Sequence, residues 1–161
     1  MKYFFTILIV LSFQKVSSQT LDETLDWLNF KLQEHCENTI SGTFKISIKD
    51  DDDYGKFLFF SETSINPFSE KKQVDYYSVL PKNIKEVQLS TKSRTNNTLD
   101  IYIVTKSNNI YRPKEKDLIS EISIYMKNGD NEMTKRIKKG LLHLLELMGN
   151  KIEPREELFK N

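Results

Sequence analysis

The residue types that most often carry catalysis or zinc binding are scarce in this chain. Its 161 residues include one cysteine, Cys36, and two histidines, His35 and His143. His35 and Cys36 are adjacent, and neighbouring residues on a helix do not face each other, so they make a poor nucleophile–base pair. A Cys36–His143 pair would require two helices that are distant in sequence to touch. Two histidines without an H-x-x-x-H spacing also fall short of a zinc signature.

Four consecutive aspartates at 50–53 form the densest group of hard oxygen ligands and raise the question of calcium binding. An EF-hand loop counted from Asp50 needs an oxygen ligand at its fifth position and glutamate at its twelfth. This chain has Tyr54 and Ser61 there. The alternative is a solvated hairpin turn whose charges discourage pairing of sheet edges. We expect the turn.

The sequence also lacks the glycine-rich motifs of nucleotide-binding and hydrolytic enzymes, which favours a protein that is not an enzyme. The few glycines form no G-x-G-x-x-G, no Walker loop and no G-x-S-x-G elbow. The sequence therefore indicates no catalytic residue, no cofactor-binding residue and no metal ligand, and it implies no cofactor. Cys36 is expected to be a small buried apolar residue. Its alternative is an intermolecular disulfide, because a single cysteine allows no internal bridge.

Two features point to binding instead. The basic run 135–139 is typical of the solvated face of a helix. The alternative interpretation is that this run, together with Lys151 and Arg155, docks an acidic partner. Aromatic side chains could line a ligand pocket, although aromatics on apolar strands more often belong to the core or to a sheet face. They are Trp27, Tyr76, Tyr77, Tyr102, Tyr111 and Tyr125.

Composition and charge narrow the class of protein. Lysine and arginine total 24 against 23 acidic residues, a net charge of +1 that argues against nucleic acid as a partner. Hydrophobic residues make up 38% of the chain, enough for one core. We expect a single globular domain over 19–150, followed by a charged C-terminal tail over 151–161.

Residues 1–18 have the pattern of a secretory signal peptide. Lys2 supplies the positive start, 4–13 is a mostly apolar run, and Val16 and Ser18 are small enough for a cleavage site. Cleavage is predicted between Ser18 and Gln19, which makes the mature protein periplasmic or extracellular. The apolar run is about half the ~20 residues that span a bilayer, and no other stretch is long enough. No transmembrane segment is therefore expected after cleavage.

A helix, a run of strands and a closing helix must position any site. Thr20 and Glu23 fit a capping box, which predicts that the first helix begins there. Asn128-Gly129-Asp130 precedes the second helix, and Gly149 suits its C-terminal cap. Apolar alternation and turn residues predict seven strands near 44–48, 57–60, 74–80, 87–89, 99–103, 110–112 and 122–126. Segment 57–60 is apolar on both faces, which predicts that the strand is covered on both sides or lies under a helix.

The fold class that follows is α+β. Short turns favour antiparallel meander connections, so we expect an antiparallel roll or partly open barrel of about seven strands. An N-terminal helix opens the fold. A C-terminal helix caps one end or one face of the roll.

Seven strands closed by a helix resembles the pleckstrin-homology-like superfold. The two ends of the chain are similar to small secreted proteins of Bacteroidota, a group of uncharacterised function. At the N-terminal end the similarity covers Thr24-Leu25-Asp26-Trp27-Leu28 with Lys31-Leu32. At the C-terminal end it covers Arg136-Ile137, Leu141, His143-Leu144, and Leu147 with Gly149-Asn150-Lys151. Many members have cysteine where this chain has Met148. The shared patterns concern packing and capping and transfer no catalytic residue, and fold alone does not imply function.

The sequence thus favours a secreted or periplasmic, non-enzymatic binding domain. It would offer a sheet edge, or a groove between helix and sheet, to a protein or peptide partner. The alternative is a carrier that holds a small ligand or lipid inside the roll. A hydrolase whose residues converge only in space ranks third. A filled interior would favour the binding domain, and a lined cavity would favour the carrier.

Overall fold

The computed structural model describes residues 19–36, 43–65, 71–91 and 98–153. Within these ranges two helices and eight strands form an α+β fold in which every strand pair is antiparallel. This confirms the predicted class, and the strands divide into two sheets that do not close into a barrel. The predicted signal peptide lies outside the described residues. The elements are α1 (Leu21–His35), β1 (Thr43–Asp51), β2 (Gly55–Ile65), β3 (Lys72–Val79), β4 (Ile84–Ser90), β5 (Asp100–Thr105), β6 (Ile110–Arg112), β7 (Asp117–Ile119), β8 (Glu121–Ile124) and α2 (Asn131–Leu147).

Helix α1 begins where the sequence predicts. The backbone N–H of Glu23 donates to Thr20 Oγ1 (3.2 Å), and the backbone N–H of Thr20 donates to Glu23 Oε2 (2.9 Å). This capping box satisfies two N–H groups at the helix start. At the other end, Cys36 caps α1 and forms an isolated bridge with Met126, next to β8. The helix is thereby attached to the sheets at its C-terminus.

Helix α2 also ends as predicted, in a Schellman motif. Gly149 has a φ of +84°, a backbone conformation that glycine adopts without strain. Its N–H donates to the carbonyl of Glu146 (2.9 Å), and the N–H of Asn150 donates to the carbonyl of Leu145 (2.8 Å). These bonds satisfy carbonyls that the last turn would leave open.

The sheets have five strands, in the order β1-β2-β3-β6-β7, and three strands, in the order β4-β5-β8. The expected meander holds within β1-β2-β3, β4-β5 and β6-β7. It fails where β3 pairs with β6 and β5 with β8, because β4 and β5 leave the first sheet and form the second. Seven strands were predicted from the sequence, and β7 was missed because its three residues are too few to show an alternating pattern.

Side chains fill the interior. Apolar residues of both sheets and both helices form one buried cluster. Helix α1 packs on β1 and on α2, and α2 packs on β4 and β5. The fully buried large side chains are Phe44, Phe60, Leu28, Leu32, Ile46, Leu58, Ile84, Ile101, Ile103, Ile110, Ile124 and Met126.

Strand β2 departs from expectation on one of its two faces. Leu58 and Phe60 enter the core, whereas Phe57 and Phe59 on the opposite face stay partly exposed. Phe59 is in contact with side chains of the adjacent strands β1 and β3. The predicted cover on both sides of 57–60 is therefore wrong for this face in the described ranges.

Candidate functional site

The structure separates the residues that could have formed a catalytic pair. His35 lies at the end of α1, with its Nδ1 2.6 Å from Asp130 Oδ2, just before α2 begins. His143 lies thirteen residues beyond Asp130 on the same helix, roughly 20 Å away at 1.5 Å per residue. Cys36 follows His35 at the same end. The hypothetical Cys36–His143 nucleophile pair is therefore wrong, because Cys36 lies beside the N-terminal end of α2 and His143 lies in its C-terminal half.

Cys36 is a core residue, as expected. Its side chain is 0% exposed and carries a free thiol. Burial, followed by the nearby Glu62 carboxylate, raises the pKa of the Cys36 thiol to about 12. A protonated, inaccessible thiol is a poor nucleophile and a poor partner for disulfide exchange.

The acidic run ends β1 with Asp50 and Asp51 and forms the expected turn to β2 with Asp52 and Asp53. Asp51 Oδ1 accepts hydrogen bonds from the backbone N–H groups of Asp53 and Tyr54, both 3.0 Å long. A side chain that bonds its own backbone two or three residues later is a turn device. In the described part of the chain, no three His, Cys, Asp or Glu side chains are grouped so that they could hold a metal ion.

Several exposed large apolar side chains lie on the outer face of the five-stranded sheet. Strand register places Ser47, Phe59, Ser78, Tyr111 and Leu118 opposite one another, in one row across all five strands. Residues paired across strands share a face. Tyr111 is 41% exposed and Leu118 is 53% exposed. We call this surface the aromatic sheet face, defined by Phe57, Phe59, Tyr76, Tyr111 and Leu118.

Ring contacts hold the centre of the aromatic sheet face. The rings of Phe59 and Tyr76 lie 5.7 Å apart between centroids, and Tyr76 is 42% exposed. Lys49 Nζ lies 3.8 Å from the centroid of the Phe59 ring, a cation–π contact. A surface cleft of about 250 Å³ opens between Phe57, Phe59 and Ser78 at this point.

Charge is unevenly divided between the two faces of this sheet. The period of two along each strand places Lys45, Lys49 and Lys72 on the same side as Phe57 and Phe59. The same period turns Glu62 and Asp75 to the inner side. On the described strands, the acidic residue of the aromatic sheet face is Asp51, at its margin in the hairpin. The face is therefore apolar at its centre and mainly cationic around it.

The edge of β1 is one of the sheet edges at which a peptide could pair, and it is covered at its middle. The side-chain amide of Asn29 bonds both the N–H and the carbonyl of Ile46. A groove of about 500 Å³ lies beside this contact, and Phe30 at its border is 55% exposed. Because the amide occupies the hydrogen-bonding groups at the centre of the strand, an extended peptide cannot pair along the whole edge.

The aromatic residues considered for a pocket do not converge. Tyr76 and Tyr111 belong to the aromatic sheet face, whereas Tyr77 points inward and donates its hydroxyl to Glu62 Oε2 (3.1 Å). Burial, then the Glu62 carboxylate, raises the pKa of Tyr77 above its usual range. Tyr102 is buried, and Tyr125 is partly buried. The sequence could not divide them, because strand register sets which face each residue joins.

The basic run has the exposed side chains expected of a solvated helix face. Lys135 pairs with Glu132 (2.6 Å), while Arg136 and Lys139 line a cleft between α1 and α2 that also contains His143. Lys151 borders a neighbouring cleft that shares Lys139 and His143. Arg155 lies outside the described residues. The start of the predicted tail is not entirely solvated, since Ile152 packs against the core.

Comparison with protein-family models, with curated proteins and with solved structures found no match to this chain. In the ranges 19–36, 43–65, 71–91 and 98–153, neither helix has the length and apolar character needed to cross a membrane.

Proposed function

We propose that this protein is a non-enzymatic binding domain that holds a protein partner on its aromatic sheet face. The exposed row through Phe59, Tyr111 and Leu118 is the observation that carries the proposal. A contiguous apolar surface with a polar rim marks an interaction site more often than it marks an ordinary exterior. Tyrosine and phenylalanine are also enriched at the centres of protein interfaces.

The shape and charge of the face indicate what kind of partner fits. The row crosses five strands, a distance of about 19 Å at ~4.8 Å per strand. That length suits the contact patch of a protein interface of ordinary size. Lys45, Lys49 and Lys72 flank the apolar centre. We therefore expect a partner with an apolar centre bordered by carboxylates, because opposite charges at the rim favour the correct encounter.

The filled interior favours this function over the carrier. The space between the sheets and helices is occupied by buried side chains such as Phe44, Phe60 and Met126. The clefts described above open on the surface and are lined by exposed or half-buried residues. A carrier that used the interior as its pocket would need a lined cavity there. The hydrolase alternative would need convergent catalytic groups, and His143 lies far from the adjacent His35 and Cys36.

We also propose that the protein is exported. The pattern in 1–18 supports a secreted or periplasmic protein that begins at Gln19. N-terminal sequencing of the exported protein tests this, and retention of Met1 through Ser18 would contradict it.

The antiparallel sheets and the C-terminal helix support a pleckstrin-homology-like roll related to the Bacteroidota proteins. An experimental structure with different strand connections would contradict that relation.

Site-specific photo-crosslinking in the native host tests the binding surface. A photo-reactive phenylalanine analogue is placed at Tyr111 or Leu118, with Phe30 as the matched control, since it is equally exposed but lies on α1. We expect one discrete adduct from both face positions and none from the control. Adducts from Phe30 alone, or from no position, would contradict the proposal. A self-adduct would also contradict it, because it would identify a second copy as the occupant.

The adduct, identified by mass spectrometry, then allows a quantitative test. Binding of the purified partner is compared for the wild type, Tyr76→Ser, Tyr111→Ser and the control Phe30→Ser. Each face variant is expected to raise Kd about tenfold, or about 1.4 kcal/mol, which is more than most interface residues cost when they are truncated. The control should stay within about twofold of the wild type. Equal affinities in all four proteins would place the partner elsewhere.

A further inference from the structure

The cleft between the two helices has a composition that the binding proposal does not use. It encloses about 370 Å³ between the N-terminal half of α1 and the middle of α2. We call it the helix cleft. The residues that matter for its chemistry are Thr24, Trp27, Arg136, Lys139, Gly140 and His143.

Helical spacing and one missing side chain create the helix cleft. Arg136, Lys139, Gly140 and His143 follow one another at three- and four-residue intervals, so they share one face of α2. Gly140 lets α1 approach closely, since a Cβ atom there would lie 2.7 Å from Cζ3 of Trp27. The indole ring is therefore held against α2, and it forms an apolar wall beside the basic side chains.

The described lining of the helix cleft carries two cations and no carboxylate. Arg136 and Lys139 form no ion pair there, whereas Lys135 on the same helix pairs with Glu132 at 2.6 Å. No carboxylate is among the lining residues. Its third ionisable residue, His143, has Nδ1 at 4.0 Å from Glu146 Oε2, outside hydrogen-bond range. A concave site with two cations and no carboxylate in its lining concentrates anions.

A buried hydroxyl adds an independent observation. Thr24 is 2% exposed, and its Oγ1 has no hydrogen-bond partner among the described residues. Buried side-chain hydroxyls are nearly always bonded, so an unpaired one calls for a missing partner. Thr24 is one helical turn before Trp27 and lines the same cleft. An oxygen acceptor in the cleft would supply the missing partner.

We propose that the helix cleft binds a small oxyanion ester, a phosphate or sulfate monoester. Arg136 and Lys139 bind the oxyanion, the Thr24 hydroxyl donates to one of its oxygens, and Trp27 packs against the apolar part of the ester. Guanidinium and ammonium donors form short, charge-assisted hydrogen bonds with such oxygens. This inference does not depend on a protein partner at the aromatic sheet face.

Trp27 is the only tryptophan in the chain, so its fluorescence reports directly on the helix cleft. The purified protein is titrated with phenyl phosphate, phenyl sulfate and inorganic phosphate, and the heat of binding is measured in parallel by calorimetry. We expect saturable binding of at least one ester, with a change in Trp27 emission. Tighter binding of the ester than of inorganic phosphate identifies the apolar wall as part of the site. No saturable signal by either method, or equal binding of inorganic phosphate, would overturn the proposal.

Charge variants locate the binding. Arg136→Gln and Lys139→Gln are each expected to raise Kd about tenfold, equivalent to about 1.4 kcal/mol. Lys135→Gln is the matched control, because it removes the same charge from the same helix outside the cleft. Its Kd should stay within about twofold of the wild type. If Lys135→Gln weakens binding as much as the cleft variants, the attraction is general and the assigned site is wrong.

Thr24→Val separates a ligand contact from a purely structural role. Valine has nearly the same shape but no hydroxyl, so it removes the unpaired buried group. We expect a higher melting temperature together with a Kd raised at least fivefold. A higher melting temperature with unchanged Kd would contradict the assignment of Thr24 to the ligand. Far-UV circular dichroism of each variant confirms that the fold is intact.

Discussion

The side-chain amide of Asn29 pairs with the backbone of Ile46 as a neighbouring strand would. Nδ2 donates to the carbonyl of Ile46 at 2.9 Å, and Oδ1 accepts from its N–H at 2.7 Å. One residue lies on α1 and the other on β1, the edge strand of the five-stranded sheet. The contact joins helix to sheet and also occupies the groups through which an edge strand recruits other chains.

Replacing Asn29 should therefore lower the stability of the fold. Asn29→Ala leaves the N–H and carbonyl of Ile46 without the hydrogen bonds of the amide. We therefore expect the free energy of unfolding to fall by about 1–3 kcal/mol. Urea denaturation measures the change. Gln33→Ala, an exposed position one turn later on the same helix, is the control. Equal stability of the two variants would show that the amide pair contributes nothing.

Gly140→Ala tests the close approach of the helices. Alanine favours the helix by about 1 kcal/mol relative to glycine, but its Cβ would lie 2.7 Å from Trp27 Cζ3 and 3.0 Å from Leu28 Cδ2. Leu28 is fully buried, so it cannot easily move away. We expect a net destabilisation of about 1–2 kcal/mol, the usual cost of overpacking. Thermal or urea unfolding measures it.

A double-mutant cycle isolates the cause. In a Trp27→Phe background the smaller ring removes the nearest contact, so Gly140→Ala should become neutral or stabilising. Equal effects of Gly140→Ala in both backgrounds would mean that the ring is not responsible.

The thiol of Cys36 should be inert in the native protein. Burial raises the pKa of Cys36 to about 12, above its ordinary value. Because folding favours the neutral thiol, the raised pKa contributes fully to stability at pH values below the ordinary pKa of the thiol. This stabilisation is lost as pH rises toward 12. At pH 8 a disulfide reagent should label Cys36 only after unfolding in urea. Tyr111→Cys supplies an exposed thiol as the control. Comparable labelling rates for both thiols in native protein would contradict the burial.

The Arg112–Asp117 pair makes a pH prediction for the β6–β7 hairpin. Arg112 Nε lies 2.8 Å from Asp117 Oδ1, and this hydrogen-bonded guanidinium lowers the pKa of Asp117 below its usual value. Arg112→Gln should raise the pKa of Asp117 toward the ordinary range, which carboxyl NMR titration measures. Lys114→Gln, whose Nζ faces Asp75 at 3.2 Å, should leave it unchanged.

The lowered pKa also sets the direction of the stability effect. A carboxyl whose pKa is depressed by folding stabilises the fold above its ordinary pKa, and this contribution is lost as pH falls through the folded value. Asp117 and Arg112 are both partly exposed, so the effect on stability is small. An Asp117 pKa that does not respond to Arg112→Gln would show that the pair does not persist in solution.

Local chemistry accounts for what was predicted correctly. The capping box of Thr20 and Glu23, the Gly149 cap and the turn after Asp51 each involve residues within a few positions of one another. Their hydrogen bonds depend on neighbouring residue types, which the sequence displays directly. Alternating apolar residues likewise indicated seven of the eight described strands. These features, and the α+β class, were determined by sequence alone.

Tertiary structure decided everything that depends on pairing between distant segments. The placement of Ser78 opposite Tyr111 sets β6 beside β3 and brings Phe59 and Leu118 into one row. Periodicity showed that 57–60 is apolar on both faces but not what covers each face. The sequence of one strand does not specify which distant segments pair with it or pack on it. The helix cleft arises in the same way, since only the crossing of α1 and α2 places Thr24 and Trp27 beside Arg136. Long-range register and helix packing are collective outcomes of burying one shared core, and no local pattern specifies them.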